Sequence, residues 1–391
     1  TVQRMQLYNS WMPHIHVDYH EQYFNEPYYF APAAKPYHLQ ITSWQREFQK
    51  IIGKNHSRYF DNNNWLYFTK EHFDLLYPGY GDTYPIYNGA IGMTYEKAGG
   101  AAGGVSAITS DGDTLTLRSR IKHHHTTGLS TVESAYKHKD RIIKEFKYFF
   151  NKGIDNPISK YKTFVIKAGL NDPKREDLLR WLDAHGIKYG NPMDDRSRSV
   201  RGYSYFSGKY DSFRIQENDI IISADQKKSV LTQVLFEPIT HYEDSLTYDI
   251  TAWSIPYVYG LEAYALETVI SQESFNIHES SKVVHVWDDE PYAYINPWKS
   301  VYDLKFLSYL EKRGLQIIGS IGNDKRYPVL VKNENRNVYN FNRHSAAEIK
   351  TLTSLAKEEN IPIQSWLIDG GEWDYSKNYM LLREKKANEF I

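Results

Sequence analysis

The sequence predicts an α/β protein built in two regions, and three patterns support this. Side chains alternate between polar and apolar over residues 14–20, which indicates a strand, since neighbouring strand residues face opposite ways. Apolar residues spaced by three and four indicate helices over residues 41–55 and 130–150. Beyond residue 160, strand and helix patterns alternate, as is typical of a parallel sheet covered by helices.

The composition is that of a folded chain and excludes several classes of protein. The 391 residues are 41 % hydrophobic, and 47 Lys and Arg against 48 Asp and Glu leave a net charge of −1. That balance gives no electrostatic reason to expect a nucleic-acid partner. No apolar run reaches the roughly 18 residues of a membrane span, and the lack of cysteine excludes disulfides and thiolate metal sites. The 33 Tyr residues are an excess that suits a groove for peptides or sugars.

The first region, residues 1–155, is predicted to hold a small sheet and two helices. Residues 1–10 have neither the charged start nor the apolar stretch of a signal peptide. Thr42 or Ser43 is the predicted cap of the first helix. In order, the elements are a strand at 14–20, a helix at 41–55, a Tyr-, Gly- and Pro-rich loop at 75–87, a strand at 90–96, a mobile loop flanked by Gly99, Gly100, Gly103 and Gly104, and a helix at 130–150.

A linker containing Gly, Pro and Asn over residues 151–161 predicts a domain boundary. Residues 160–391 are then expected to form an α/β domain of the Rossmann-like or amidotransferase-like kind. Its predicted strands are at 162–168, 315–318, 329–331 and 361–366, and its predicted helices follow residue 172 and span 302–314 and 346–358. Residues 249–256 read as a packed structural junction.

The alternating strand carries four polar residues on one face: His14, His16, Asp18 and His20. Imidazole and carboxylate groups are usual ligands of zinc, so two or three of them could share a metal ion. One alternative is the binuclear hydrolase motif H-x-H-x-D-H, although the last histidine here comes one residue late. The other alternative is a polar strand face that binds no metal.

Glu96 ends an apolar strand, where a carboxylate beside a metal-bound water can accept its proton. The alternative is an ordinary surface carboxylate at a strand end. The run His123-His124-His125 cannot present all three rings to one metal from a regular element. It is interpreted as loop or partly buried polar residues at the rim of a cleft.

Two of these segments, in this order, resemble the carboxypeptidase A-like zinc peptidases. The segment VDYHE (residues 17–21) is similar to the strand that supplies the last zinc histidine, and GAIGMTYE (residues 89–96) to the segment that ends in the catalytic glutamate. PYYFAP (27–32) and YDITAWSIP (248–256) are similar to segments of the large bacterial members, which carry a C-terminal extension. The resemblance spans most of the chain and begins after the family's H-x-x-E motif.

The resemblance implies that residues 1–155 form the second half of a zinc-carboxypeptidase-like mixed sheet with flanking helices. It implies zinc as cofactor, with His20 as a ligand and Asp18 as the neighbour that orients the metal site. It implies Glu96 as the general base and acid, and either Tyr80 or Tyr84 as the residue that closes over a peptide or protein substrate. It also implies a periplasmic or secreted location.

The chain departs from the family in its missing zinc ligands. None of the 15 His residues has Glu three positions later, so the H-x-x-E motif that supplies the first two ligands is absent. One expectation is that an N-terminal fragment of the same protein supplies those ligands. The alternative is a non-catalytic binding or scaffold subunit of an envelope or secreted complex. A hydrolase site within the α/β region is a further alternative, but without cysteine it could not use a Cys nucleophile.

Overall fold

The computed structural model describes residues 2–98, 104–155, 159–167, 173–193, 198–242 and 253–276, with four short strands between residues 294 and 368. The chain divides into two compact units, one of Thr1–Lys167 with Arg180–His278 and one of Ala168–Leu179 with Glu279–Ile391. The boundary predicted near residues 155–160 therefore falls inside the first unit. Within the described ranges, no helix combines the length and the apolar character needed to span a membrane.

Helices and several small sheets confirm the mixed α/β class. The helices are α1 Val2–Trp11, α2 Ser43–Asn62, α3 Thr83–Ile86, α4 Leu117–Asp155, α5 Pro173–His185, α6 Ser229–Phe236 and α7 Ile255–Tyr259. The strands are β1 Ile15–His20, β2 Tyr28–Tyr29, β3 Tyr67–Phe68, β4 Ile91–Glu96, β5 Ser106–Ile108, β6 Thr114–Thr116, β7 Thr163–Ile166, β8 Asn191–Pro192, β9 Arg198–Ser204, β10 Tyr210–Ile215, β11 Ile220–Ser223, β12 Ala263–Leu266, β13 Phe275–Asn276, β14 Tyr294–Asn296, β15 Leu315–Gly319, β16 Val329–Asn333 and β17 Leu367–Ile368.

The first sheet has the strand order β1-β4-β2-β3 and is mixed. Strands β1 and β4 are parallel, in a register that places Ile15 opposite Ile91 and His20 opposite Glu96. Strand β2 meets β4 in the antiparallel sense. The two strands predicted near residues 14–20 and 90–96 are thus confirmed, and they are neighbours with their carboxyl ends at the same edge.

Helix α2 covers this sheet and begins where the sequence predicts. The Thr42 side chain accepts a hydrogen bond from the Gln45 backbone N–H, and Gln45 completes a capping box. The buried side chains of α2 pack with the sheet into one core, which includes Tyr28, Phe30, Trp44, Phe48, Ile52, Phe60, Ile91, Met93 and Tyr95. Burying each large apolar side chain contributes about 1.5–3 kcal/mol, so this core anchors β1 and β4.

Helix α4 is longer than predicted, because it begins at Leu117 instead of residue 130. The His123-His124-His125 run therefore lies in a helix, and its interpretation as loop was wrong. The buried side of α4 is polar at its start, and hydrogen bonds attach it to the rest of the unit. Ser130 Oγ lies 2.8 Å from His56 Nδ1, and Tyr28 Oη lies 2.7 Å from His124 Nδ1. We call these contacts the polar seam of α4.

The second sheet has the order β10-β9-β12-β7-β11, and all its paired strands are antiparallel. The paired strands β14 to β17 of the other unit are antiparallel as well. The prediction of a parallel, Rossmann-like layer was wrong for these strands, although the strands beginning at Leu315 and Val329 are where the sequence placed them. The helices predicted at 302–314 and 346–358, the strand predicted at 361–366, the glycines at 99, 100 and 103, and residues 249–252 lie outside the described residues.

The polar seam gives a prediction about acid stability. His56 is fully buried, its Nε2 lies 2.8 Å from Tyr95 Oη, and burial lowers the pKa of His56 to about 3. Because the unfolded chain binds this proton near pH 6.5 and the folded chain does not, the free energy of unfolding falls as the pH drops from about 6.5. We expect His56→Gln to reduce the slope of that fall by up to about 1.4 kcal/mol per pH unit. Urea unfolding at several pH values measures it.

The matched control is His125→Gln, since His125 is exposed on the same helix that His56 contacts. This control is expected to leave the slope of the parent protein unchanged. Equal slopes in the parent protein and in His56→Gln would contradict the assignment of a neutral, buried His56.

Candidate active site

The carboxyl ends of β1 and β4 bring together three of the residues that the sequence singled out. His20 and Glu96 are opposite each other in the parallel register, and Asp18 is opposite Thr94. His20 Nε2 lies 3.1 Å from Asp18 Oδ2, and His20 Nδ1 lies 3.5 Å from Glu96 Oε1. An imidazole thus bridges two carboxylates at one sheet edge, and we call this set the His20 cluster.

Glu96 is the buried member of the His20 cluster, with 4 % of its surface exposed. Its second oxygen, Oε2, is buried and accepts no hydrogen bond from the described residues. Burial raises the pKa of Glu96 to about 7, against the lowering effect of His20, and the charge of Asp18 adds to the rise. A carboxylate with a free oxygen and a pKa near neutrality is chemically suited to take up and release a proton.

The His20 imidazole is more than half exposed, while Asp18 fixes its orientation. This donor chemistry suits one side of a zinc site, because a carboxylate commonly orients a ligating histidine. A catalytic zinc ion needs three protein ligands and an open position. Within the described part of the chain, no three His, Asp or Glu side chains are arranged to hold a metal. The described residues therefore do not form a complete zinc site.

The loop of residues 77–87 packs directly on the strand ends. A Cβ atom added to Gly81 would lie 1.9 Å from Asp18 Oδ2, and one added to Gly92 would lie 1.8 Å from the Asp82 carbonyl oxygen. Asp82 itself is buried, and burial raises its pKa to about 6, although hydrogen bonds from Thr94 and the Thr83 backbone oppose the rise. The loop can approach this closely only because both glycines lack a side chain.

Sequence reasoning missed Asp82 and Gly92 as part of the site. A glycine inside an apolar strand is a known sign that another backbone approaches closely, and Gly92 is such a residue in β4. That signal was available in the sequence, although it does not identify the approaching segment. The role of Asp82 carried no sequence signal beyond its place in a turn-rich loop.

The two tyrosines proposed to close over a substrate have different surroundings. The Tyr80 ring is half-buried, with its centroid 5.0 Å from that of Tyr77, and Tyr80 immediately precedes Gly81. The Tyr84 hydroxyl lies 2.9 Å from His185 Nδ1, and its ring packs against Tyr8. Tyr80 is therefore the tyrosine whose chain neighbour contacts the His20 cluster, whereas Tyr84 is held by residues of other elements.

His14, His16, His123 and His124 pack against aromatic rings. The His14 ring lies 4.2 Å from the Phe146 ring, and the His16 ring lies 5.9 Å from that of Tyr8. The His123 ring lies 4.4 Å from the Trp65 ring, and burial lowers the pKa of His123 and of His124 to about 4, with the charge of Lys97 adding to the lowering. These four imidazoles support the fold and do not join the His20 cluster.

No family model, curated protein or solved structure matches this chain. The interpretation of function therefore rests on the sequence resemblance and on the geometry of the His20 cluster.

Proposed function

We propose that the chain forms one side of the active site of a zinc-dependent peptidase of the carboxypeptidase kind. The single observation that carries the proposal is the parallel register of β1 and β4, which brings His20 and a buried Glu96 into contact at one sheet edge. These are the two residues for which the sequence resemblance implies zinc binding and proton transfer. The register adds to the resemblance, because neither segment alone fixes how the two strands pair.

In this proposal Glu96 moves the proton of the hydrolytic reaction. The Glu96 carboxylate would accept a proton from the attacking water, whose oxygen bonds to the carbonyl carbon of the peptide. The same proton then passes to the amide nitrogen as the carbon–nitrogen bond breaks, which releases an amine and a carboxylic acid. Oε1 is the oxygen of Glu96 that faces His20, at 3.5 Å from His20 Nδ1.

His20 would hold the zinc ion through one ring nitrogen, and Asp18 would keep the ring in position. A bound zinc ion polarises a carbonyl group and lowers the pKa of a water molecule. A further segment of the same protein is the proposed source of the two missing ligands. Tyr80 and the loop of residues 77–87 would contact the peptide substrate, and a periplasmic or secreted location is part of the same proposal.

The test is zinc content and peptide hydrolysis, measured on the natively purified protein and on two histidine variants. We expect His20→Gln to lose both bound zinc and hydrolysis of a peptide library. The matched control is His16→Gln, the same change on the same strand and face, which is expected to retain both. Loss in both variants, or in neither, would remove His20 from its assigned role.

A second candidate function is a non-catalytic binding subunit on a peptidase-like scaffold. It is favoured by one observation, namely that no described group of three side chains can hold a metal. The same measurement separates the two functions. Natively purified protein that carries no zinc and hydrolyses no peptide, yet binds peptides, would support the binding subunit and overturn the peptidase.

A further inference from the structure

The outward face of α4 carries a row of exposed apolar side chains. Five large ones follow one another along the helix and are between 44 % and 73 % exposed: Ile121, Leu129, Val132, Tyr136 and Ile143. We call this row the apolar stripe. Such a continuous row is unusual on a solvent face, where single exposed apolar residues are ordinary but aligned ones mark an interface.

The apolar stripe lies opposite the side of α4 that is already packed. The buried positions of the helix include Arg120, His123, Thr127, Ser130, Ser134 and Ile142. At about 3.6 residues per turn, the buried positions and the stripe fall on opposite sides of the helix. The successive spacings within the stripe are 8, 3, 4 and 7 residues, and each returns to about the same side of a helix. Helix α4 is therefore built to contact neighbours on two sides.

The residues of the apolar stripe are arranged nearly symmetrically about Val132. Ile121 and Ile143 lie 11 residues on either side of it, and His125 and Lys139 lie 7 residues on either side. Leu129 and Tyr136 flank the centre. Two copies of the helix packed antiparallel about a two-fold axis at Val132 would thus place Ile121 against Ile143 and Val132 against itself, with His125 beside Lys139 between them.

The charges beside the apolar stripe favour the same arrangement. Lys122 and Asp140 are 18 residues apart, which is five turns at about 3.6 residues per turn, so they lie on the same side of the helix. In the antiparallel pair, Lys122 of each copy comes within about 3 Å, along the helix axis, of Asp140 of the other copy.

We propose that the apolar stripe of α4 is a homodimer interface, at which a second copy of this chain packs its own α4 in the antiparallel direction. The seam from Ile121 to Ile143 is about 33 Å long at 1.5 Å per residue. The net charge of −1 opposes self-association very little. A single helix pair buries less surface than a permanent complex, so the dimer forms and dissociates with protein concentration. This interface is separate from the proposed peptidase function.

The first experiment is analytical ultracentrifugation of the full chain over a wide range of concentration. We expect a reversible monomer–dimer equilibrium for the parent protein and a monomer for Val132→Glu. The matched control is Phe206→Glu, which changes an even more exposed apolar residue, 93 % exposed, outside α4. This control is expected to dimerise like the parent protein.

The second experiment tests the direction of the pair by charge reversal. Lys122→Glu alone and Asp140→Lys alone each place like charges together, so each is expected to weaken the dimer at least tenfold. The double variant Lys122→Glu with Asp140→Lys restores opposite charges and is expected to recover the parent equilibrium. Circular dichroism is the control that each variant remains helical.

Three results would overturn the proposal in whole or in part. A monomer at all concentrations would show that no self-interface exists, and a dimer unaffected by Val132→Glu would place the interface elsewhere. A double variant that stays as weak as the singles would overturn the antiparallel direction. Because none of these measurements depends on zinc or on hydrolysis, their outcome is independent of the proposed activity.

Discussion

Replacing Glu96 with Gln is expected to lower peptide hydrolysis by a factor of about 10²–10⁴, the usual loss when a general base is removed. Glutamine has nearly the same shape as glutamate but cannot accept the proton of the attacking water. Glu96 is buried at the end of β4, and its Oε1 lies 3.5 Å from His20 Nδ1. The rate of hydrolysis, measured at saturating and at low substrate, is the readout.

The matched control for this prediction is Glu21→Gln. Glu21 follows His20 in the chain and is exposed, so the same loss of charge occurs close to the site without touching Oε2. Glu21→Gln is expected to keep the parent rate. Parent-like hydrolysis by Glu96→Gln would remove Glu96 from the reaction, even if His20 were still found to bind zinc.

Replacing Gly92 with Ala is expected to cost about 3 kcal/mol of unfolding free energy, the upper end of the range for overpacking a core. The new Cβ atom would lie 1.8 Å from the Asp82 carbonyl oxygen and 3.0 Å from Ile86. A backbone carbonyl cannot turn aside as a flexible side chain can, so the loop of residues 77–87 must shift. Chemical denaturation measures the loss, and the displaced loop should also reduce hydrolysis.

Gly128→Ala is the control for the Gly92 prediction. Its Cβ atom would lie 3.0 Å from the Tyr19 hydroxyl, at the end of a side chain that can move. Gly128 is also within a helix, where alanine is favoured over glycine by about 1 kcal/mol. Gly128→Ala is therefore expected to be neutral or slightly stabilising. A stable Gly92→Ala variant would mean that the loop is not held as closely against β4 as described.

Local signals predicted β1, β4 and the start of α2 well, but not the short strands β2 and β3. The alternation through His20 defines β1, and Thr42 defines the start of α2, because both depend on residues close together in the chain. The start of α4 was missed for the opposite reason. Its first buried positions, such as His123 and Thr127, are polar, so the packed side of the helix has no apolar period there.

The sequence of the second half of the chain did not show whether its strands pair in the parallel or the antiparallel sense. The sequence places a strand at β7, but whether its neighbours run parallel or antiparallel depends on pairings between distant residues, as between Ile166 and Ala263. The alternation of strands and helices favoured a parallel layer, and the actual neighbours of β7 come from later strands that run the other way.

The candidate site was predictable residue by residue but not as an arrangement. His20, Asp18 and Glu96 were each identified from their sequence surroundings, whereas their contact depends on the register of β1 with β4. Asp82 joins them only because the loop folds back over Gly92. Contacts of this kind form between segments that are far apart in the chain, so the sequence of a short segment does not predict them.

The polar seam of α4 has a consequence for how freely that helix can turn. Apolar side chains tolerate a rotated neighbour, but hydrogen bonds are directional, and a turned α4 would separate Ser130 from His56 and His124 from Tyr28. Each buried group left without its partner would cost about 1–3 kcal/mol. The helix therefore has one favoured rotation about its own axis. Its outward apolar residues cannot turn inward without breaking these hydrogen bonds, so the seam keeps them on the side of the helix that faces away from the described core.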